Sequence, residues 1–197
     1  MASSNTTRTG SSPLSGDEAP LPDEDAELML AAAKGDDAAF EKIVLRHQKT
    51  LLNFFCRLGV PISDAEDLAQ QTFVRLHRYR SSYERTAKFT TYLYLLARQV
   101  RVDEIRRRVR AERTRDAFRA EVDYRESLPG DDPAPCLRDD LQNALDQLDE
   151  PHREVVVLGL LRELPYQEVA EVLGVPVGTV KSRMHHALRK LREILDR

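Results

Sequence analysis

The chain has 197 residues, of which 41% are hydrophobic and 32% charged, with a formal net charge of −3. This composition excludes a disordered polymer, the length suits one or two small domains, and no apolar run approaches the ~20 residues of a membrane-spanning helix. Its two cysteines, Cys56 and Cys136, are far apart and lack neighbours at metal-ligand spacing, a usage that fits a reducing cytoplasm and argues against a disulfide scaffold and a zinc site.

Residues 1–23 mix Ser, Thr, Pro, Gly and acid, which predicts a disordered tail and no secretory signal. Helical periodicity begins at Leu28 and Ala31–Ala33 and is broken by Gly35, after which Asp36 or Asp37 can cap a new helix. Phe40, Ile43, Val44, His47, Leu51, Phe54, Phe55 and Leu58 form its buried stripe, and Gly59-Val60-Pro61 stops it. Ser63-Asp64-Ala65-Glu66 reads as a capping box. The helix it opens buries Leu68, Ala69, Thr72, Phe73 and Leu76 and leaves Asp64, Glu66, Asp67, Gln70, Gln71 and Arg75 on a polar side.

A short loop, Ser81–Thr86, leads to a long helix predicted from about Lys88 to about Arg113. Its apolar stripe runs through Phe89, Tyr92, Leu93, Leu96, Ala97 and Val100, then fades as arginine takes over. The stretch Ala120–Pro135, with Leu-Pro-Gly-Asp-Asp-Pro-Ala-Pro, has no periodicity and reads as a linker. Beyond it, Leu137, Leu141, Ala144, Leu145 and Leu148 mark one helix, and Val155, Val156, Leu158, Leu160 and Leu161 another, with Pro151 in its first turn. Two more helices follow, Pro165–Leu173 and about Val177–Leu195. No strand pattern occurs. The expected fold is all-α: a tail over 1–23, a helical domain over 24–115, a flexible linker over 116–136 and a second helical domain over 137–197.

Net charge conceals a segregation. Arg98–Arg115 holds eight arginines against three acids, and Gly178–Arg197 holds six basic residues against two acids, whereas Glu121–Asp140 holds seven acids against two arginines. Any one basic run is ordinarily a solvated helix face; two of them, each ending a helical module, point toward phosphate.

Tyr166–Arg183 carries the clearest local motif. Ala170 is small where two helices would cross, Gly174 supplies a left-handed turn, and Val169, Leu173, Val175 and Val180 pin the pair together. Thr179, Lys181, Ser182, Arg183, His185, His186 and Arg189 then face outward on a helix suited to a major groove. An αα-hairpin in a bundle would use the same Gly-Val-Pro turn; the basic second helix favours DNA.

Asp64-Ala-Glu-Asp-Leu-Ala-Gln-Gln-Thr-Phe-Val-Arg-Leu76, Phe89-Thr-Thr-Tyr-Leu-Tyr-Leu-Leu-Ala-Arg98 and Asp103-Glu-Ile-Arg-Arg-Arg108 together resemble region 2 of the extracytoplasmic-function (ECF) sigma factors. Leu145–Leu195 resembles region 4 of the same family, and the two cover about three-quarters of the chain in the family's order. The resemblance implies a sigma factor that binds RNA polymerase core, through the β′ clamp and the β flap, and directs it to promoter DNA. Asp64, Asp67, Gln70, Gln71 and Arg75 would then dock on the clamp, and the apolar Val155–Leu164 surface would meet the flap. Tyr83, Lys88, Tyr94, Arg98, Arg101, Arg106 and Arg107 would bind the opened −10 element, where freed bases need stacking faces and phosphate contacts. The helix from Thr179 to Arg189 would read the −35 duplex, with Lys181 and Arg183 foremost. Tyr92 and Gln99 depart from the Trp and Asn common among relatives. Most relatives are held inactive by an anti-sigma factor that covers both domains, and a flexible linker would permit such wrapping.

Enzyme readings find no support: no Gly-rich phosphate loop, His-x-x-x-His pair or Ser/His/Asp spacing occurs, and no cofactor or metal is expected. A sigma-like decoy would ordinarily carry an additional signalling domain. A dimeric helix-turn-helix regulator would leave the amino-terminal half without a role.

Overall fold

The computed structural model describes residues 23–118 and 140–195. Among them every regular element is helical: α1 (Glu24–Ala33), α2 (Asp37–Arg57), α3 (Ile62–Arg78), a single 3-10 turn (Arg80–Ser82), α4 (Phe89–Phe118), α5 (Asp140–Asp146), α6 (Glu150–Val156), a wide π turn (Val157–Leu161), α7 (Tyr166–Leu173) and α8 (Val177–Leu195). The proposed tail, apart from Asp23, and the segment 119–139 that holds most of the proposed linker lie outside the described residues. Helix α4 continues to Phe118, past the expected end near Arg113.

Aspartates set the first two helix starts. Asp23 caps α1 by accepting from Ala26 N–H at 3.1 Å, and its other oxygen accepts from Phe89 N–H at 2.8 Å, at the start of α4. One carboxylate therefore serves two helix N-termini, where the backbone dipoles favour negative charge. Asp36 caps α2 through Ala39 N–H at 3.0 Å, as expected. The capping box does not form. Helix α3 starts at Ile62 with Pro61 as its N-cap in an extended conformation, so Ser63 already lies inside the first turn and no side chain caps it.

The amino-terminal helices close around Phe54, Phe55, Phe89, Ile43, Leu51, Leu76 and Leu93, all essentially inaccessible. His47 is buried with them. It bonds Asp25 on α1 at 2.8 Å and packs its ring on Phe89. Phe40 and Val44, expected in the core, are only partly buried and line an open groove between α2 and α3.

In the carboxy-terminal half, α5, α6, α7 and α8 pack Leu145, Val155, Val156, Leu158, Val169 and Val180 together. Leu160, placed on that apolar stripe, is instead 52% exposed because the π turn swings it outward. This half also packs directly on the first. Arg153 on α6 donates to the carbonyl of Leu58 at 3.1 Å as well as to the carbonyls of Leu145, Asp146 and Leu148. Gly59, with φ +81°, lies in the left-handed region that favours glycine, and a β-carbon there would displace the tip of the Arg153 side chain.

Cys56 is buried in α2, and Cys136 lies outside the described residues.

Phe55→Ala should lower unfolding free energy by about 3–5 kcal/mol, whereas Leu45→Ala, at a side chain 61% exposed, should change it by less than about 0.5 kcal/mol. Urea unfolding followed by far-ultraviolet circular dichroism measures both.

Candidate nucleic-acid interface

Helix α7 ends at Gly174, whose φ +66° and ψ 36° place it in the left-handed region. Val175 N–H bonds back to the Ala170 carbonyl at 3.1 Å, closing the turn, and Pro176 accepts from Thr179 N–H and Val180 N–H as α8 begins. Val180, Met184, Ala187 and Leu191 are buried along one side of α8. Their spacing leaves Lys181, Ser182, His185, His186 and Arg189 exposed, with Thr179 and Arg183 half-buried at the margin. All seven residues expected to read duplex DNA therefore sit on or beside one solvent-facing side of a single helix. Arg189 approaches His186 Nδ1 at 3.3 Å, and the rings of His185 and His186 stand edge to face.

Helix α3 presents Asp67, Gln70 and Gln71 to solvent, and Asp64 and Arg75 are half-buried at its junction with α4. That junction is an ionic staple. Arg108 bridges Asp64 at 2.9 Å and Glu104 at 2.7 Å, Arg107 grips Glu104 through two nitrogens, and Arg75 pairs with Asp103 at 2.9 Å. Hydrogen bonds from Arg107 and Arg108 hold the Glu104 carboxyl down at about 2. Between the helices runs an open groove of about 680 Å³ that brings Gln70, Gln71 and Arg75 beside Arg107. Docking and −10 candidates thus share one surface.

The remaining −10 candidates divide. Arg106 is exposed. Tyr83 and Tyr94 are not available as stacking faces: they are 7% and 5% exposed, Tyr94 packing on Phe54 and Tyr83 on Tyr92. Burial pushes the Tyr83 hydroxyl up to about 12, with Asp23 adding to the effect, and the oxygen has no hydrogen-bond partner. Both rings lie on the inward side of their segments, a placement that residue type alone did not reveal.

Lys88, Arg98 and Arg101 face the second domain. Lys88 pairs with Glu168 at 2.9 Å, and Thr91 donates to the same carboxylate at 2.6 Å. Arg101 pairs with Glu150 at 2.6 Å and lies 3.7 Å from Glu154; Arg98 Nε lies 3.4 Å from Glu154. Glu150, Glu154 and Glu168 were absent from the sequence reading. Their signal was the i, i+4 spacing of the first two on one helix, matching Arg98 and Arg101 at i, i+3 on another.

Among the described residues, α3, stapled to an arginine-rich helix and joined in one chain to a helix-turn-helix with a basic exposed face, defines a helical protein of the DNA-binding class. Family models for Sigma-70 region 2 and Sigma-70 region 4 match residues 43–111 and 144–193. The ECF RNA polymerase sigma factor SigE of Mycolicibacterium smegmatis is 34% identical over 186 residues, covering 88% of this chain and 69% of that protein. RNA polymerase sigma factor CarQ of Myxococcus xanthus is 34% identical over 163 residues, covering 82% and 91%. The structure of CnrH in complex with the cytosolic domain of CnrY aligns with TM-score 0.65 and 28% identity over 88% of this chain and 98% of that one. Sigma factor RpoE of Bartonella quintana, in complex with the anti-sigma factor NepR, aligns with TM-score 0.64 and 26% identity over 80% and 96%. The chain belongs to the ECF RNA polymerase sigma factors, proteins that direct promoter-specific transcription initiation. No helix among the described residues is long and apolar enough to cross a membrane.

Because the folded Glu104 carboxyl titrates below its ordinary value, its contribution is complete above the unfolded pKa of about 4.3 and fades as pH falls toward 2. Glu104→Gln should therefore lower the thermal midpoint more at pH 7 than at pH 2.5. Calorimetry at the two pH values checks the sign.

Proposed function

We propose a division of labour within the sigma factor. The first domain, residues 24–115, docks on the β′ clamp of core polymerase through Asp64, Asp67, Gln70, Gln71 and Arg75, and binds the opened −10 strand through Lys88, Arg98, Arg101, Arg106 and Arg107. Tyr83 and Tyr94 support that surface from within the core. The second domain, residues 137–197, reads the −35 duplex through Thr179, Lys181, Ser182, Arg183, His185, His186 and Arg189. The observation that carries the reading is the exposed, cation-bearing face of α8, present in the same chain as the exposed amide row of α3.

The chemistry of each surface suits its role. Reversible docking favours polar, charge-complementary contacts, which Asp67, Gln70 and Gln71 supply. Arginine and lysine on a helix in the major groove can meet guanine edges and phosphates. The protein acts in the cytoplasm, where polymerase and DNA are, and catalyses no reaction itself. An anti-sigma factor is proposed as a regulatory partner, supported by the relatives RpoE and CnrH, the first solved with its anti-sigma factor and the second with the cytosolic domain of CnrY.

With purified core polymerase, the protein should start transcription at a cognate promoter, and neither component should do so alone. Arg183→Ala should weaken −35 duplex binding by about 1–3 kcal/mol while core affinity stays constant. Gln70→Lys with Gln71→Lys should reverse that pattern. Run-off transcription and a core pull-down separate the two, and equal loss in both variants would contradict the division.

A further inference from the structure

Three carboxylates of the second domain occupy three cations, Lys88 just before α4 and Arg98 and Arg101 on it. Glu168 holds Lys88 at 2.9 Å and also accepts from the buried Thr91 hydroxyl at 2.6 Å; Glu150 holds Arg101 at 2.6 Å; Glu154 lies between Arg98 and Arg101. Each is an oxyanion positioned against a Lys or Arg, which is the chemistry that a nucleic-acid phosphate would present. We propose that Glu150, Glu154 and Glu168 form an intramolecular latch that substitutes for DNA phosphate on α4, so that the second domain occludes the first domain's single-strand surface until the two separate. The proposal rests on the assignment of Lys88, Arg98 and Arg101 to the opened strand.

The ionic part of the contact is incompletely satisfied. Arg98 Nε and Arg101 Nε are buried without a hydrogen-bond partner, so the ion pairs are close but imperfectly aligned. Burial pushes the Glu154 carboxyl up despite both arginines, showing that the pairing does not fully offset its desolvation. Beside these pairs Arg153 donates to the Leu58 carbonyl, and a cleft of about 370 Å³ lies open between Arg46, Thr50 and Thr90 on one side and Leu161, Arg162 and Glu163 on the other, while the buried apolar side chains of the two halves join in one cluster. Opening would free three cations at once and expose Thr91.

The full chain carrying Glu150→Gln, Glu154→Gln and Glu168→Gln tests this against a charge-matched control, Glu41→Gln, Glu171→Gln and Glu193→Gln, whose carboxylates lie on exposed surfaces. Binding of a fluorescein-labelled 20-nucleotide single-stranded DNA of mixed sequence is followed by anisotropy from 50 to 200 mM salt, with small-angle scattering for size and circular dichroism for folding. The latch variant should have a larger radius of gyration than wild type. Its slope of log affinity against log salt should steepen by about 2, because each freed cation adds roughly 0.7 for single strands. The control should match wild type in both. A latch variant that stays compact, or that opens without a steeper slope, overturns the latch. Equal steepening in the control overturns it too, by assigning the effect to net charge. Core binding by wild type, measured in parallel, keeps the sigma-factor reading separate: its absence would remove the reading on which the latch rests.

Discussion

Helix α4 carries one set of cations and two claims on them. Its first turns are anchored in the core through Phe89, Leu93, Leu96 and Ala97, and Asp23 fixes its N-terminus by bonding Phe89 N–H. That anchorage cannot be relaxed without unpacking the first domain. It determines where Lys88, Arg98 and Arg101 point, and in the described arrangement they point at carboxylates of the second domain. About two turns further along, Arg107 and Arg108 turn to Glu104 and Asp64 and staple α4 to α3. The same helix thus holds α3 and its proposed docking face in place, carries proposed −10 contacts and receives the second domain.

Ion pairs of these two kinds differ in consequence. The staple around Glu104 is local, charge-dense and half-exposed, so it orients α3 against α4 and adds modest stability. The pairs between the two halves join residues far apart in the chain and are partly desolvated, so removing one partner leaves the other charge unpaired. The two kinds of pair leave α4 joined to α3 on one side and to the second helical half on the other.

Much of the fold was legible in the sequence because apolar periodicity and turn residues dictate it. The stripe from Ile43 to Leu58, the Gly174 turn and the buried row of Val180, Met184, Ala187 and Leu191 follow from helical spacing. The face of α8 followed with them, since a helix buried on one side must display the other. Less legible were features that depend on three-dimensional neighbours. Tyr83 and Tyr94 look like stacking residues by type, yet their neighbours Phe54, Phe89 and Tyr92 enclose them. Pro61 took the cap that Ser63 was expected to provide. The carboxylates at Glu150, Glu154 and Glu168 meet cations far away in the chain, and the i, i+4 spacing of the first two marks a row on one helix without naming the row it meets.

The central claim is that one chain reads two promoter elements with two separate surfaces. Run-off transcription by purified core polymerase with this protein, from a pool of templates randomised upstream of the start site, measures it directly. The enriched templates should carry two short sequence blocks at a fixed separation, near −10 and −35. A pool enriched for a single block, or one transcribed equally well by core polymerase alone, would contradict the account.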